Sequence, residues 1–131
     1  MILLDTHVLA WLVANPSQLS LKAASAIRRA RRGEGIAISD ITLWELALLF
    51  SRGRLRAPGT IEGAVRWIVE GASVSVKPIT LEIAALAVQF PDAFSHDPAD
   101  RLIAATARSE GMILITRNER IRQSPLLKTL W

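Results

Sequence analysis

The sequence predicts an α/β domain built on a mainly parallel sheet. Short apolar runs at residues 2–4, 35–38, 74–77 and 112–115 recur along the 131-residue chain, each of strand length. Longer segments with a helical spacing of apolar residues separate them. Strands that are apolar throughout need cover on both faces, and crossover helices between parallel strands provide it. No repeat, low-complexity tract or linker divides the chain, so residues 1–131 read as one domain.

The elements can be justified in order. Ile2-Leu3-Leu4 is the first strand and stops at Asp5. Residues 7–14 form a short helix ending near Asn15-Pro16, since proline disfavours helix in the residue before it. Residues 19–32 place Leu19, Ala23, Ala26, Ile27 and Ala30 on one side and gather Arg28, Arg29, Arg31 and Arg32 at the end. Cations suit the negative end of a helix, and Gly33 is a good stop. Gly35-Ile36-Ala37-Ile38 is the second strand, after which Ser39 or Asp40 caps a helix running to Phe50. Residues 52–59 are a basic loop. A helix over 60–70 leads to the third strand, 74–77, which Pro78 ends. Residues 79–89 are helical and 91–95 a loop. Pro98 opens a helix to Glu110, with Gly111 just past its end. The fourth strand, 112–115, a helical turn at 118–123 and a last strand at 129–131 complete the chain. Trp11, Trp44, Trp67 and Trp131 sit among apolar neighbours and are expected in the core.

Composition narrows the function. Half the residues are hydrophobic and 21% are charged, which excludes a disordered chain. No uncharged run reaches membrane-spanning length. Residues 1–5 lack the basic start of a secretory signal, so a cytoplasmic location is expected. The absence of cysteine excludes a disulfide scaffold, a thiolate zinc site and a cysteine nucleophile. Thirteen of the sixteen basic residues are arginine and the net charge is +4. That balance fits a polyanionic partner, or a solvated basic face.

In open sheets of this kind ligands bind beyond the carboxyl ends of the strands. Those ends are acidic here. Asp5 follows the first strand; Ser39 and Asp40 follow the second, with Glu45 one turn into the next helix. Asp97 and Asp100 open the 98–110 helix, and Thr116, Asn118 and Glu119 follow the fourth strand. Local uses compete with a shared site. Asp5 and Asp97 can cap helices, and Asp100 suits the first turn of one. Glu45 shares its helix face with Ile41, Leu48 and Leu49, where a carboxylate is costly unless paired or metal-bound. Arg52, two turns on, is its structural alternative. His7 and His96 have no second histidine at metal-ligand spacing and read as structural. A receiver-like domain needs an acid where the third strand ends in Lys77-Pro78, and a haloacid-dehalogenase-type phosphatase needs a second aspartate where His7 stands.

The segment Ile2-Leu3-Leu4-Asp5-Thr6-His7-Val8-Leu9 resembles the opening of PIN-domain ribonucleases. Residues 39–45, SDITLWE, resemble their second acidic motif, and residues 97–107, DPADRLIAATA, the third in the form common among VapC toxins of type II toxin–antitoxin pairs. Residues 114–118, LITRN, stand where the fourth belongs. The resemblance runs from residue 2 to Trp131. It implies a three-layer α/β/α sandwich and a Mg2+- or Mn2+-dependent endoribonuclease acting as a toxin. It implies Asp5, Glu45 and Asp100 as catalytic metal ligands, with Asn118 at the fourth metal position and Asp97 either approaching the metal or only capping its helix. Asn118 replaces the usual aspartate of the fourth motif and lacks its charge. Thr6, Ser39, Thr116, Arg52 and Arg54 are the substrate-binding candidates implied, with Arg56, Arg117, Arg120 and Arg122 as further phosphate contacts. Implied partners are RNA, a VapB-like antitoxin and a second copy of the chain. The alternative is a PIN-fold module that binds RNA or protein without cutting.

Three carboxylates sharing one cation are expected to lie within a few ångströms of one another.

Overall fold

The computed structural model describes all 131 residues. Five strands form one sheet: β1 (Ile2–Leu4), β2 (Ile36–Ser39), β3 (Ser75–Lys77), β4 (Ile113–Ile115) and β5 (Thr129–Leu130). Their order is β3-β2-β1-β4-β5 and every pairing is parallel. Seven α-helices cover it: α1 (Thr6–Ala14), α2 (Leu21–Arg32), α3 (Ile41–Ser51), α4 (Ile61–Ala72), α5 (Leu81–Gln89), α6 (Pro98–Glu110) and α7 (Glu119–Arg122). A short 3-10 turn at Pro16–Gln18 follows α1.

The apolar runs sort onto two faces by strand alternation. Leu3, Ala37 and Leu114 face a core built with Ile83, Phe90, Phe94 and Ile103, the layer of α5 and α6. Leu4, Ile36, Ile38 and Ile115 face the other core, with Val8, Leu9, Ile27, Leu46 and Ile68 from α1 to α4. This is a three-layer α/β/α sandwich.

Helix ends follow local chemistry. Ser20, Thr60 and Thr80 each accept an N–H from the third residue of the helix they precede, at 3.0–3.1 Å. Asp97 caps α6, Pro98 occupies its first position, and Gly111 ends it at φ +66°. Ahead of α3 the side chain that caps is Ser39, which accepts from Ile41 N–H at 3.3 Å; Asp40 instead accepts from Ile79 N–H.

Two expectations are corrected. The third strand is an edge, and Ser75 and Val76 are exposed, so cover on both faces stops short of β3. Trp44 and Trp67 are 58% and 52% exposed on α3 and α4 and are not core residues. Both helices present more apolar side chains than the sheet beneath them can bury.

Strand order reverses at β1, with β2 and β3 on one side and β4 and β5 on the other. The crevice of such a sheet opens at that switch point. Asp5 follows β1 and Thr116 follows β4, so the topology sets these two residues side by side. Asp5 N–H donates to the carbonyl of Ile115 at 3.0 Å and pins the two strand ends together.

Candidate active site

Asp5 is 3% exposed. One carboxylate oxygen accepts from Thr6 N–H at 2.8 Å, which caps α1. The other accepts from the Thr116 hydroxyl at 2.7 Å. The cap of α1 and the candidate site residue are therefore one and the same. His7 reaches over this pair. Its Nδ1 lies 3.7 Å from Asp5 Oδ2, and its Nε2 accepts from Arg117 N–H at 3.2 Å. Burial lowers the His7 pKa, with Asp5 opposing and Arg117 adding to the fall.

Glu45 comes from α3, the helix that follows β2. It accepts a hydrogen bond from the Thr6 hydroxyl, and Thr6 in turn lies 3.0 Å from the Thr42 hydroxyl. No ion pair to Arg52 forms. Asp100 comes from α6, where it accepts from Ser95 Oγ at 2.7 Å and from Asn118 Nδ2 at 3.3 Å. Asp97 caps α6 through Ala99 and Asp100 N–H, and Asn118 Oδ1 caps α7 through Arg120 and Ile121 N–H.

The acids sense one another. Glu45 is pushed up to about 7, first by burial and then by the charges of Asp5, Asp97 and Asp100, against the Thr6 hydrogen bond. Asp100 is pushed up to about 6, first by burial and then by Asp5 and Asp97, against its bonds from Ser95 and Asn118. Hydrogen bonds join Asp5 to Glu45 through Thr6, and Asp5 to Asp100 through Thr116 and Asn118. The expected tight trio is not reached, however. No three acidic or histidine side chains converge closely enough to form a ready metal-ligand set. Each of Asp5, Glu45 and Asp100 is held by its own hydroxyl donor instead. The donor set still fits a hard divalent cation: it is all oxygen, partly desolvated and self-repelling.

Thr6 and Thr116 stand inside this network, both buried. Ser39 is fully buried and serves the α3 cap. Arg52 and Arg54 are exposed at and beyond the end of α3, with no bond to the acids.

The PIN domain family matches residues 2–125. The chain belongs to the PIN domain family. Over 99% of its length this PIN domain is 38% identical to Ribonuclease VapC22 of Mycobacterium tuberculosis, covering 98% of that protein. Among solved structures it matches a chain of VapBC2 from Rickettsia felis bound to a promoter DNA fragment, with TM-score 0.74 and 17% identity, covering 99% of this chain and 98% of that one. It also matches a chain of DNA-bound VapBC from Salmonella typhimurium, with TM-score 0.70, 22% identity and the same coverages. The fold of the PIN domain is thereby shared with these proteins. No helix of the chain is long and apolar enough to cross a membrane.

Three contacts in this PIN domain had no signal strong enough to read in the sequence. Ser95 and Thr42 are loop and helix hydroxyls like many others. Arg101 lies inside DPADRLIAATA, yet its guanidinium points back to the carbonyls of Ala87, Phe90, Pro91 and Ser95.

The raised acids set a pH dependence. Folded Glu45 keeps its proton up to about pH 7, whereas an unfolded glutamate releases it near 4.5. Between those values the native state binds more protons, so stability falls as pH rises. Asp100 acts in the same sense up to about pH 6, and His7 in the opposite sense. In chelator, Glu45→Gln should raise Tm by several degrees at pH 8 and by little or nothing at pH 4.5. Thermal scans at the two pH values read this. An equal gain at both would show that the Glu45 charge is not the source.

Proposed function

We propose that the chain is a divalent-metal-dependent endoribonuclease and the toxin of a toxin–antitoxin pair. The observation that carries the reading is the hydrogen-bonded chain that joins Asp5 to Glu45 through Thr6, and Asp5 to Asp100 through Thr116 and Asn118, so that three acids distant in sequence stand around one strand-end crevice. Carboxylates held in that way are suited to a cation. Similarity to a named ribonuclease along the whole chain points the same way.

Asp5, Glu45 and Asp100 would hold Mg2+ or Mn2+, with Asp97 and Asn118 at the margin. When bound, the ion supplies water activation and charge neutralisation at the scissile phosphate. The chain's own residues do the rest. Thr116 and Thr6 fix the carboxylates of Asp5 and Glu45, while Ser95 and Asn118 fix that of Asp100. Glu45 and Asp100 must give up their protons for the centre to load, so the metal concentration needed for half-maximal cleavage should rise as pH falls. Arg52 and Arg54 on one side, and Arg117, Arg120 and Arg122 on the other, are exposed cations available to phosphates.

A VapB-like antitoxin is supported by the solved VapBC complexes that share the fold. A homodimer is supported by exposed Leu81 and Val88 on α5, together with Trp44 and Trp67, which are apolar surfaces suited to cover by another chain. A cytoplasmic site of action fits an RNA target. Asn118 favours one second reading, a PIN module that binds without cutting. One assay decides. RNA cleavage should vanish in EDTA and return with Mg2+ or Mn2+; undiminished cleavage in chelator overturns the metal mechanism, and no cleavage with either ion favours the binding module.

A further inference from the structure

A cleft of about 610 Å³ lies between α2, α7 and β5. Lys22, Arg122 and Gln123 line it with polar and cationic groups, and Trp131 supplies an aromatic wall. Glu119 is the one acidic side chain in the lining. Two routes join this cleft to the acids. The first is α7 itself, whose cap Asn118 donates to Asp100 and whose Arg122 reaches the cleft one turn later. The second is a row of rings: His7 beside Asp5, Trp11 with its ring centre 4.9 Å from that of His7, and Trp131 a further 5.8 Å on. The Arg117 guanidinium sits over Trp11 at 5.9 Å.

A row of rings flanked by cations has a specific use. Ring faces stack unpaired bases, and flanking cations take the phosphates between them.

We infer that this cleft is a binding subsite for a single-stranded RNA segment flanking the scissile bond, with phosphate on Lys22 and Arg122 and a base against Trp131. The inference rests on the ribonuclease reading and adds which side of the centre the strand leaves by. Lys22 and Arg122 are exposed and make no ion pair, so their removal leaves the fold intact.

The test is binding of a labelled ten-nucleotide single-stranded RNA to wild-type protein in EDTA across a salt series. Lys22→Ala with Arg122→Ala should weaken binding about tenfold or more at low salt. It should also flatten the log–log salt slope by about 1.4, two phosphate contacts at roughly 0.7 each. Arg28→Ala with Arg66→Ala removes the same charge elsewhere and should leave the slope unchanged. Trp131→Leu should weaken binding by roughly five- to a hundredfold at all salt concentrations, without altering the slope. With Mg2+, the Lys22/Arg122 variant should raise KM for long RNA and spare kcat. An unchanged slope and affinity in that variant overturns the subsite, even if the wild type cuts RNA. A flattened slope in a protein that never cuts RNA leaves the subsite standing and overturns the nuclease reading.

Discussion

Asp5→Asn should reduce RNA cleavage by about a thousandfold or more while the protein stays folded. The asparagine keeps an oxygen for Thr6 N–H, so the α1 cap survives. It removes the full charge at the most buried acid of the centre, and with it the electrostatic hold on a cation that would carry most of the transition-state stabilisation. Asn118→Ala is the matched comparison. Asn118 contributes a neutral amide bond to Asp100 and a cap to α7, so its loss should lower cleavage only about two- to tenfold. In cells lacking an antitoxin the wild type should arrest growth, Asp5→Asn should not, and Asn118→Ala should do so at higher expression. Equal losses in Asp5→Asn and Asn118→Ala would make the amide a direct part of the chemistry and invert the ranking of these residues.

Position relative to strand ends made Asp5, Glu45, Asp97 and Asp100 candidates, and the resemblance to PIN-domain ribonucleases singled out Asp5, Glu45 and Asp100 among them. A parallel sheet converts distant sequence positions into neighbours at one edge, and the apolar runs that define the strands are short and unmistakable. Glu45 was legible for a second reason: a carboxylate among Ile41, Leu48 and Leu49 demands a partner. The partner itself was not legible. Arg52 was the nearest candidate in sequence, but the bond is to Thr6, which lies 39 positions away. Hydroxyls are common and carry no periodicity, so the donors that hold the acids emerge only when β1, β4 and α6 are brought together. The tryptophans failed for a related reason. Apolar sequence neighbours predict burial only when the sheet has area left to cover, and α3 and α4 lie toward the β3 edge, where it does not.

Arg101 connects stability to the site and should show the largest stability effect of any polar residue in the chain. Its Nε donates to Ser95 O at 2.8 Å, Nη1 to Phe90 O at 2.9 Å and to Ala87 O at 3.3 Å, and Nη2 to Pro91 O at 3.2 Å. Ala87 and Phe90 stand at the end of α5, where carbonyls have no partner within the helix. One planar fork thus closes α5 and fastens the 90–95 loop onto α6. Ser95 rides on that loop and donates to Asp100, so the acid's orientation depends on the same fork. Arg101→Ala leaves these carbonyls without their donor and should destabilise the fold by about 2–4 kcal/mol, since bonds from a charged donor contribute roughly 1.5–3 kcal/mol each but share one desolvation. For a domain of this size that is a fall in Tm of roughly 6–20 °C. Arg101→Lys restores the charge but not the geometry, because an ammonium cannot span four acceptors in a plane. It should recover less than half the loss. Denaturant titration of the three proteins measures this, and full recovery by lysine would show that charge alone, not the fork, holds the loop. Where Arg101→Lys stays folded, the Mg2+ concentration for half-maximal cleavage should rise several-fold as Ser95 loosens its hold on Asp100. An unchanged metal requirement would confine Arg101 to the scaffold.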